Sequence, residues 1–263
     1  CNRRVSWPPS LSLDGYSVPA DAMSDKCLIE QIPSSIDRLL EAGFHVRQMD
    51  EVFHFADEFR WSLNCFLRAL KEVPQIIRME LQYKVGFKAW FDGRYEAVRT
   101  DALIQYYGKQ RDGVVHKQML KPASSGFVGI TEGRGIKLGI GVPIDPLQDS
   151  DIAMQKYLHF CAGHDDLMGV LGDDEESLPC IERTWKLDQF PDEDVTDLAA
   201  RAWQKMADLM SDVAVWLGNE PIPFKLSRAP TKWIRIKMYD REKLREYVQA
   251  VKDDLRKADG GTE

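Results

Sequence analysis

The sequence predicts a mainly α fold: a helical bundle with a small β-hairpin insertion and a short strand and helix at its C-terminal end. Two long segments, 52–73 and 195–217, repeat apolar residues every three or four positions, as amphipathic helices do. Between them, residues 122–146 are rich in glycine and alternate with apolar residues, which is typical of paired strands. A chain of 263 residues is long enough to bury a core without disulfides.

The first helix is predicted to begin at Ser34 or Ser35, whose side chains suit an N-cap, and to end at Gly43. The next helix has the most regular apolar stripe in the chain: Val52, Phe55, Phe59, Leu63, Phe66, Leu67, Leu70 and Val73. Pro74 is expected to kink or break this helix, because proline lacks an amide hydrogen and its ring clashes with the preceding turn.

Two further helices are expected before the glycine-rich segment. Aromatic residues over 87–98 mark the first, and the second covers about Arg99–Lys117. Gly108 and Gly113 each cost about 1 kcal/mol relative to alanine inside a helix. We therefore expect this second helix to bend or restart near Lys109.

After the hairpin, the pattern predicts a helix over 150–163 and a strand within 180–190. A strong helix then opens at Pro191, since proline and the acidic residues that follow it suit a first helical turn. The resulting division of the chain is an N-terminal arm over 1–33, a helical domain over 34–220 with its β insertion at about 122–190, and a basic C-terminal extension over 221–263.

Charge and cysteine content narrow the class of protein. With 35 basic and 42 acidic residues the net charge is −7, so the chain is not a polycation that coats nucleic acid, and any such contact must be local. No apolar run approaches the roughly 18 to 20 residues of a membrane span. We therefore expect no membrane partner. Five cysteines without framework spacing favour reduced thiols, which predicts a cytoplasmic protein.

One group of residues resembles a zinc site. His159, Cys161 and His164, with Cys180 further along, offer four ligands of suitable type. Their spacing is irregular and contains no Cys-x2-Cys pair, so we interpret them as buried thiols and surface histidines. The sequence predicts neither a metal nor a cofactor.

The most informative short motif lies in the second of the two helices that precede the hairpin. Arg111, Asp112 and His116 place a phosphate-binding cation, an acid and a group that titrates near neutrality within six residues. Arg38 to His45 and Arg47 to His54 place an arginine similarly before a histidine, but each pair straddles a predicted helix end or loop. We treat these two as coincidental.

The C-terminal extension contains a second candidate site. Trp233, Arg235, Lys237 and Tyr239 alternate with apolar residues and would share one face of a strand. Aromatic and basic side chains on one face suit single-stranded RNA, because they stack on bases and neutralise phosphates. The alternative is a packed edge strand whose charged groups reach outward to water.

These features resemble the HEPN superfamily (higher eukaryotes and prokaryotes nucleotide-binding). The likeness covers about 50–120 and 190–217. It consists of the helix that includes Phe59–Leu70, the helix with Arg111, Asp112 and His116, and the acid-opened closing helix. The resemblance implies an up-and-down helical bundle that forms a homodimer. It also implies a metal-independent endoribonuclease marked by an arginine, a polar residue and a histidine.

In such a mechanism His116 would act as general base or acid toward the ribose 2′-hydroxyl. Arg111 would bind the phosphate, and Asp112 would orient one of these side chains. The products would carry 2′,3′-cyclic phosphate and 5′-hydroxyl ends. Residues five apart on a straight helix are separated by about 140°. We therefore expect a homodimer in which Arg111 of one copy meets His116 of the other.

Two alternatives stay open at this point. The family also contains members without activity, so the chain is either a nuclease, with a role in toxin–antitoxin pairs or defence and an antitoxin as a possible partner protein, or a catalytically inactive module that binds RNA, a nucleotide or a partner. A third interpretation is an unrelated helical scaffold in which the motif is coincidental.

Overall fold

The computed structural model describes residues 28–116, 120, 122–133, 135–162 and 177–259. Helices form about 62% of this part, so the mainly α prediction is confirmed. The described helices are α1 Leu28–Gln31, α2 Pro33–Glu51, α3 Ala56–Leu81, α4 Phe87–Arg99, α5 Ala102–His116, α6 Ser150–Ala162, α7 Val195–Trp216, α8 Thr231–Ile234 and α9 Arg241–Asp259. Within these ranges no helix is long and apolar enough to cross a bilayer.

The predicted hairpin and the predicted following strand are both present. The strands are β1 Ala123–Glu132, β2 Gly135–Pro143, β3 Pro179–Lys186 and β4 Ile236–Met238. They form one antiparallel sheet in the order β2-β1-β3-β4. Gly133 in the hairpin turn has a φ of 59°, a left-handed conformation that glycine adopts without steric cost.

The prediction that the first helix ends at Gly43 is wrong, because α2 continues to Glu51. Its later turns place Val46 and Met49 in the core, and this burial outweighs the roughly 1 kcal/mol that a glycine costs inside a helix. The predicted serine cap is also replaced. The amides of Ser34 and Ser35 donate to the carboxylate of Glu80 on α3, at 2.8 and 3.0 Å.

Two predicted helix interruptions do not occur. The helix α3 continues through Pro74 to Leu81, with Pro74 itself buried between Val73 and Ile77. Similarly, α5 passes through Gly108 as one helix to His116. Buried apolar residues on both sides of Pro74 hold α3 together, and the buried Tyr106 and Tyr107 anchor α5 just before Gly108.

The helices α2, α3 and α7 form the centre of the main core, and α4 and α5 pack against them. Trp203 on α7 is fully buried and its indole Nε1 donates to the carbonyl of Leu39 on α2 at 2.8 Å. The helix α7 begins after Asp194, whose carboxylate caps the amide of Thr196 at 3.0 Å. The predicted start at Pro191 is therefore four residues early.

A smaller second core lies on one face of the sheet. Val128 of β1 and Ile181 of β3 pack there against Met154 and Leu158 of α6 and Val248 of α9. The C-terminal extension thus completes the β insertion, since β4 pairs with β3 and α9 packs on α6. The two segments that the sequence separates, 122–190 and 221–263, share this core.

Candidate functional site

The motif of Arg111, Asp112 and His116 lies in the last turns of α5, as predicted. The N-terminal end of α5 is fixed by Asp101, whose carboxylate accepts from the amides of Leu103 and Ile104 at 3.0 and 3.2 Å. Burial alone would raise the pKa of Asp101. The hydrogen bond from Lys205 and these amides lower it, so the cap is charged at neutral pH.

The backbone is helical over the whole motif, but the side chains of Asp112 and His116 lie outside the described part of the structure. Arg111 is half-buried, and its Nε atom is buried from solvent. Since α5 is a continuous α-helix, positions 111 and 116 are about 140° apart around its axis. Two residues placed in this way do not face one phosphate from a single straight helix, and the homodimer stays a prediction.

A groove of about 620 Å³ lies beside the motif, between α3, the α4–α5 turn and α7. Its wall on α5 includes Tyr107 and Gly108, which lie four and three residues before Arg111 and hence on the same side of the helix. The other residues that line the groove are Leu67, Leu70, Lys71, Tyr95, Arg99, Thr100, Ile104, Gln105, Lys109 and Met206.

The charged side chains that line this groove are all basic. Lys71, Arg99 and Lys109 line it, and no carboxylate is among the described lining residues. Arg99 is held in place by a two-point hydrogen bond to Glu96, with distances of 2.6 to 2.9 Å. Positively charged side chains around a groove attract an anion, and the Glu96 carboxylate that binds Arg99 offsets part of this charge.

A second groove of about 590 Å³ adjoins the first and shares Tyr95 and Arg99 with it. It also contains Arg78, whose guanidinium carbon lies 5.3 Å from the centre of the Tyr95 ring and which pairs with Asp92 at 2.9 Å. The two grooves follow one another along α3. The second groove also contains the carboxylates of Asp92 and Glu96, so its charge is mixed.

The sequence did not indicate these groove residues. Lys71, Arg99 and Lys109 come from α3, the end of α4 and α5, and each is separated from the next by at least ten residues. Only the packing of the three helices brings them together. A lysine on a helix is otherwise indistinguishable from an ordinary solvated residue.

The prediction that Trp233, Arg235, Lys237 and Tyr239 share one face of a strand is wrong. Trp233 lies in α8, Arg235 caps that helix and only Lys237 belongs to β4, so the residues do not alternate along one strand. Arg235 lies 3.4 Å from the carboxylate of Asp194, which is fully buried. The role of these residues in RNA binding remains a prediction, but its geometric premise is lost.

The other two members of this set are likewise engaged within the fold. Lys237 forms an ion pair of 2.6 Å with Asp151, and Tyr239 donates its hydroxyl to the same carboxylate at 2.8 Å. Burial would raise the pKa of Asp151, but these two partners lower it. This arrangement fits the alternative of a packed edge strand, in which charged groups stabilise the fold.

The cysteines of the zinc-like group are both buried. Burial raises the pKa of Cys161, and it raises the pKa of Cys180 to about 11. Both thiols are therefore protonated at neutral pH in the metal-free fold, and zinc would have to displace both protons. His164 lies outside the described residues. Among the residues that are described, no three histidine, cysteine or acidic side chains are placed to hold a metal.

His54, the histidine of the Arg47–His54 pair that we treated as coincidental, has a structural role. Its Nε2 donates to the carbonyl of Ile234 at 3.0 Å, and its Nδ1 accepts from the hydroxyl of Ser150 at 2.8 Å. Both bonds suit a neutral ring. Burial, together with the nearby cations Lys237 and Arg183, lowers the pKa of His54 to about 4.

We expect this histidine to make the fold sensitive to acid. Because its pKa falls from 6.5 in the unfolded chain to about 4 in the fold, the neutral ring favours folding, and stability is lost as the pH falls from 6.5 to 4. The free energy of unfolding should fall by about 3 kcal/mol over this pH range. Urea unfolding at pH 7 and 4.5 measures it. His54→Gln should flatten this dependence and His159→Gln, an exposed control, should not; equal slopes in both variants would contradict the assignment.

The fold and the site together define a mainly α protein with a cationic groove beside a helical arginine–histidine motif. Comparison of the chain with protein-family models, with curated proteins and with solved structures gives no match. The functional argument therefore depends on the residues and geometry of this molecule.

Proposed function

We propose that this protein binds RNA in the groove along α3 and α5 and cleaves it, without a metal, through Arg111 and His116. The observation that supports the proposal is the groove lined by Lys71, Arg99 and Lys109, whose wall on α5 includes Tyr107 and Gly108, one helical turn before Arg111. Phosphates in the groove would be neutralised by Lys71, Arg99 and Lys109. A scissile phosphate would then lie at the C-terminal end of α5.

The chemistry needs a base for the ribose 2′-hydroxyl and a cation for the charge that develops on phosphorus. An imidazole removes the proton near neutral pH, and a guanidinium fork stabilises the phosphorane oxygens. The 2′-oxygen attacks phosphorus and the 5′-oxygen leaves with a proton. The products are a 2′,3′-cyclic phosphate and a 5′-hydroxyl end, as the likeness to the HEPN superfamily also implies.

Replacing either His116 or Arg111 by alanine should lower the rate of RNA cleavage at least about 100-fold, because each removes a transition-state contact. Single-turnover cleavage of a labelled oligonucleotide measures this effect. Arg94→Ala is the matched control, since Arg94 is an exposed arginine that pairs with Asp212 away from the groove. Unchanged cleavage in the His116 variant would contradict the catalytic proposal.

The shared cleft has a separate test. If each site combines Arg111 of one copy with His116 of the other, mixing the two inactive alanine variants should restore about a quarter of wild-type cleavage, since half of the dimers are mixed and each has one intact site. If cleavage did not recover on mixing while both variants were still dimeric, Arg111 and His116 of the same chain would have to form the site.

We expect the double variant Lys71→Ala/Lys109→Ala to weaken RNA binding rather than catalysis. Each lysine that neutralises a phosphate of single-stranded RNA contributes about 0.7 to the slope of log affinity against log salt, so the slope should fall by about 1.4. Binding isotherms between 50 and 200 mM salt measure it. The control Lys156→Ala/Lys257→Ala changes the net charge equally on lysines outside the groove, and an equal slope in both variants would exclude the groove as the binding surface.

The alternative function is a non-catalytic module that binds RNA, a nucleotide or a partner. The same groove favours it, because anion binding there does not require His116. Groove-dependent RNA binding with no cleavage by the wild-type protein would select this alternative. A role in a toxin–antitoxin pair or in defence, with an antitoxin as partner, belongs to the nuclease proposal and has no independent support in the fold.

A further inference from the structure

The two edges of the sheet differ in how well they are protected. One edge is β4, which has three residues and includes Lys237. A short strand with a lysine is a common way to prevent unwanted pairing. The other edge is β2, which has nine residues with Lys137 as its one charged side chain. Among the described strands only β1 pairs with β2, so its outer row of amides and carbonyls meets no other strand.

The exposed apolar side chains of the sheet include two on this edge strand. Leu138 pairs with Ile130, and Ile140 pairs with Val128, so both lie on the face that covers the second core. They are 69% and 48% exposed and are not part of the second core. Apolar groups beside an open strand edge favour the addition of another strand.

The sequence of this edge is self-complementary. Leu138–Val142 reads Leu-Gly-Ile-Gly-Val, which has the same pattern in both directions about Ile140. Paired antiparallel with its own copy about that residue, Ile140 meets Ile140, Leu138 meets Val142 and glycine meets glycine. Apolar side chains then share one face and glycines the other.

The ends of the segment fit the same arrangement. The pairing of β1 with β2 shifts register between Ile130 and Thr131, which places Lys137 at the end of the regular ladder. In the self-paired register Lys137 of each copy meets Pro143 of the other, so no two like charges are opposed. Pro143 has no amide hydrogen and is tolerated at the end of a ladder.

We propose that two copies of this chain associate through β2, antiparallel about Ile140, so that the two sheets form one continuous sheet of eight strands. The interface buries Leu138 and Ile140 and gives hydrogen-bond partners to the open edge. It contains no residue of the α5 motif and does not depend on the proposed nuclease. Cross-linking at Ile140 without recovery of activity on mixing Arg111 and His116 variants would support β2 pairing and exclude the shared cleft.

The test uses position 140, the one residue that meets itself in this register. Paired residues on antiparallel strands have Cα atoms about 4.5 to 5.5 Å apart, within the range of a disulfide. Ile140→Cys should form a covalent dimer under mild oxidation, seen on a non-reducing gel. In Leu138→Cys the two cysteines would be about 13 Å apart, so this variant should cross-link no more than the wild type, which has the exposed Cys65 as background.

Sedimentation of the full chain provides the second measurement. The wild type should sediment as an assembly of at least two copies, and Ile140→Lys should sediment as a smaller assembly with an unchanged circular dichroism spectrum, because two lysines would oppose each other across the axis. This difference is expected whether or not copies also meet at the α5 motif. A monomeric wild type would overturn the proposal, including the case in which another segment of the same chain covers β2. It would also be overturned if Ile140→Lys sedimented with the same mass as the wild type, or if Leu138→Cys cross-linked as readily as Ile140→Cys.

Discussion

Replacing Trp185 by alanine is expected to lower the free energy of unfolding by about 4 kcal/mol, because it leaves a cavity where the sheet meets the helical core. Trp185 on β3 is fully buried and stacks on Phe59 of α3, with ring centres 4.4 Å apart and planes 5° apart. Its indole Nε1 donates to the carbonyl of Phe53 at 2.9 Å. One side chain thus connects β3, α3 and the α2–α3 turn.

The loss should be large because Trp185 also covers a buried cation. The guanidinium carbon of Arg183 lies 3.8 Å from the centre of the indole ring. This guanidinium donates to neutral oxygens, at 2.9 Å to the hydroxyl of Ser124 and to the carbonyl of Gln148, and burial lowers the pKa of Arg183 to about 10. Without the ring, this charge would face an empty volume.

Urea unfolding followed by circular dichroism measures the effect, with two further variants for comparison. Trp185→Phe retains an aromatic ring that can stack on Phe59, but it leaves the Phe53 carbonyl without its donor and a small cavity, so we expect a loss of about 1 to 2 kcal/mol. Trp233→Ala removes a tryptophan that is 43% exposed and should change stability by less than about 1 kcal/mol. If Trp185→Ala and Trp233→Ala had the same effect, the proposed role of Trp185 would be wrong.

The long helices were predictable because their signal is local. In α3 and α7 an apolar residue every three or four positions marks the buried face, and no distant partner is needed to see it. The errors occurred where a distant group decides the local structure. Glu80 caps α2 from another helix, and core packing carries α2 past Gly43. Neither contact can be read from the residues next to it in sequence.

The C-terminal error has a different cause. The run from Trp233 to Tyr239 is short, and over seven residues alternation alone does not distinguish a strand from a helical turn followed by a strand. The carboxylates of Asp194 and Asp151 determine its conformation, and both lie far away in the sequence. Similarly, the motif on α5 could be found from the sequence, whereas the groove beside it required the packing of three helices.

Replacing Arg228 by alanine is the second change for which we expect a large effect. It should lower the free energy of unfolding by about 4 kcal/mol. Arg228 donates to both carboxylate oxygens of Asp50 on α2, at 2.8 and 2.7 Å, and to Asp197 on α7 at 2.8 Å. It also donates to the hydroxyl of Thr231 at 3.0 Å. The extension that leads to β4 and α9 is thereby attached to the main core.

The loss of stability should come mainly from Asp50, whose carboxylate would stay buried without a partner. Burial already raises the pKa of Asp50 in the intact network, and without Arg228 this pKa should rise further. A carboxyl whose pKa is raised by folding stabilises the fold in acid and loses this contribution as the pH rises through its folded pKa. The deficit of Arg228→Ala should therefore be larger at pH 7 than at pH 4.5.

Urea unfolding at both pH values measures this deficit, and two variants identify its source. Arg228→Ala/Asp50→Asn removes the stranded charge and should recover part of the loss at pH 7. Arg94→Ala breaks an exposed ion pair with Asp212 and should cost less than about 1 kcal/mol at either pH. An equal loss of stability in Arg94→Ala and Arg228→Ala, or a deficit that does not depend on pH, would show that the buried network does not attach the C-terminal extension. This attachment is important because β4 and α9 of the extension complete the core beneath the sheet whose edge is β2.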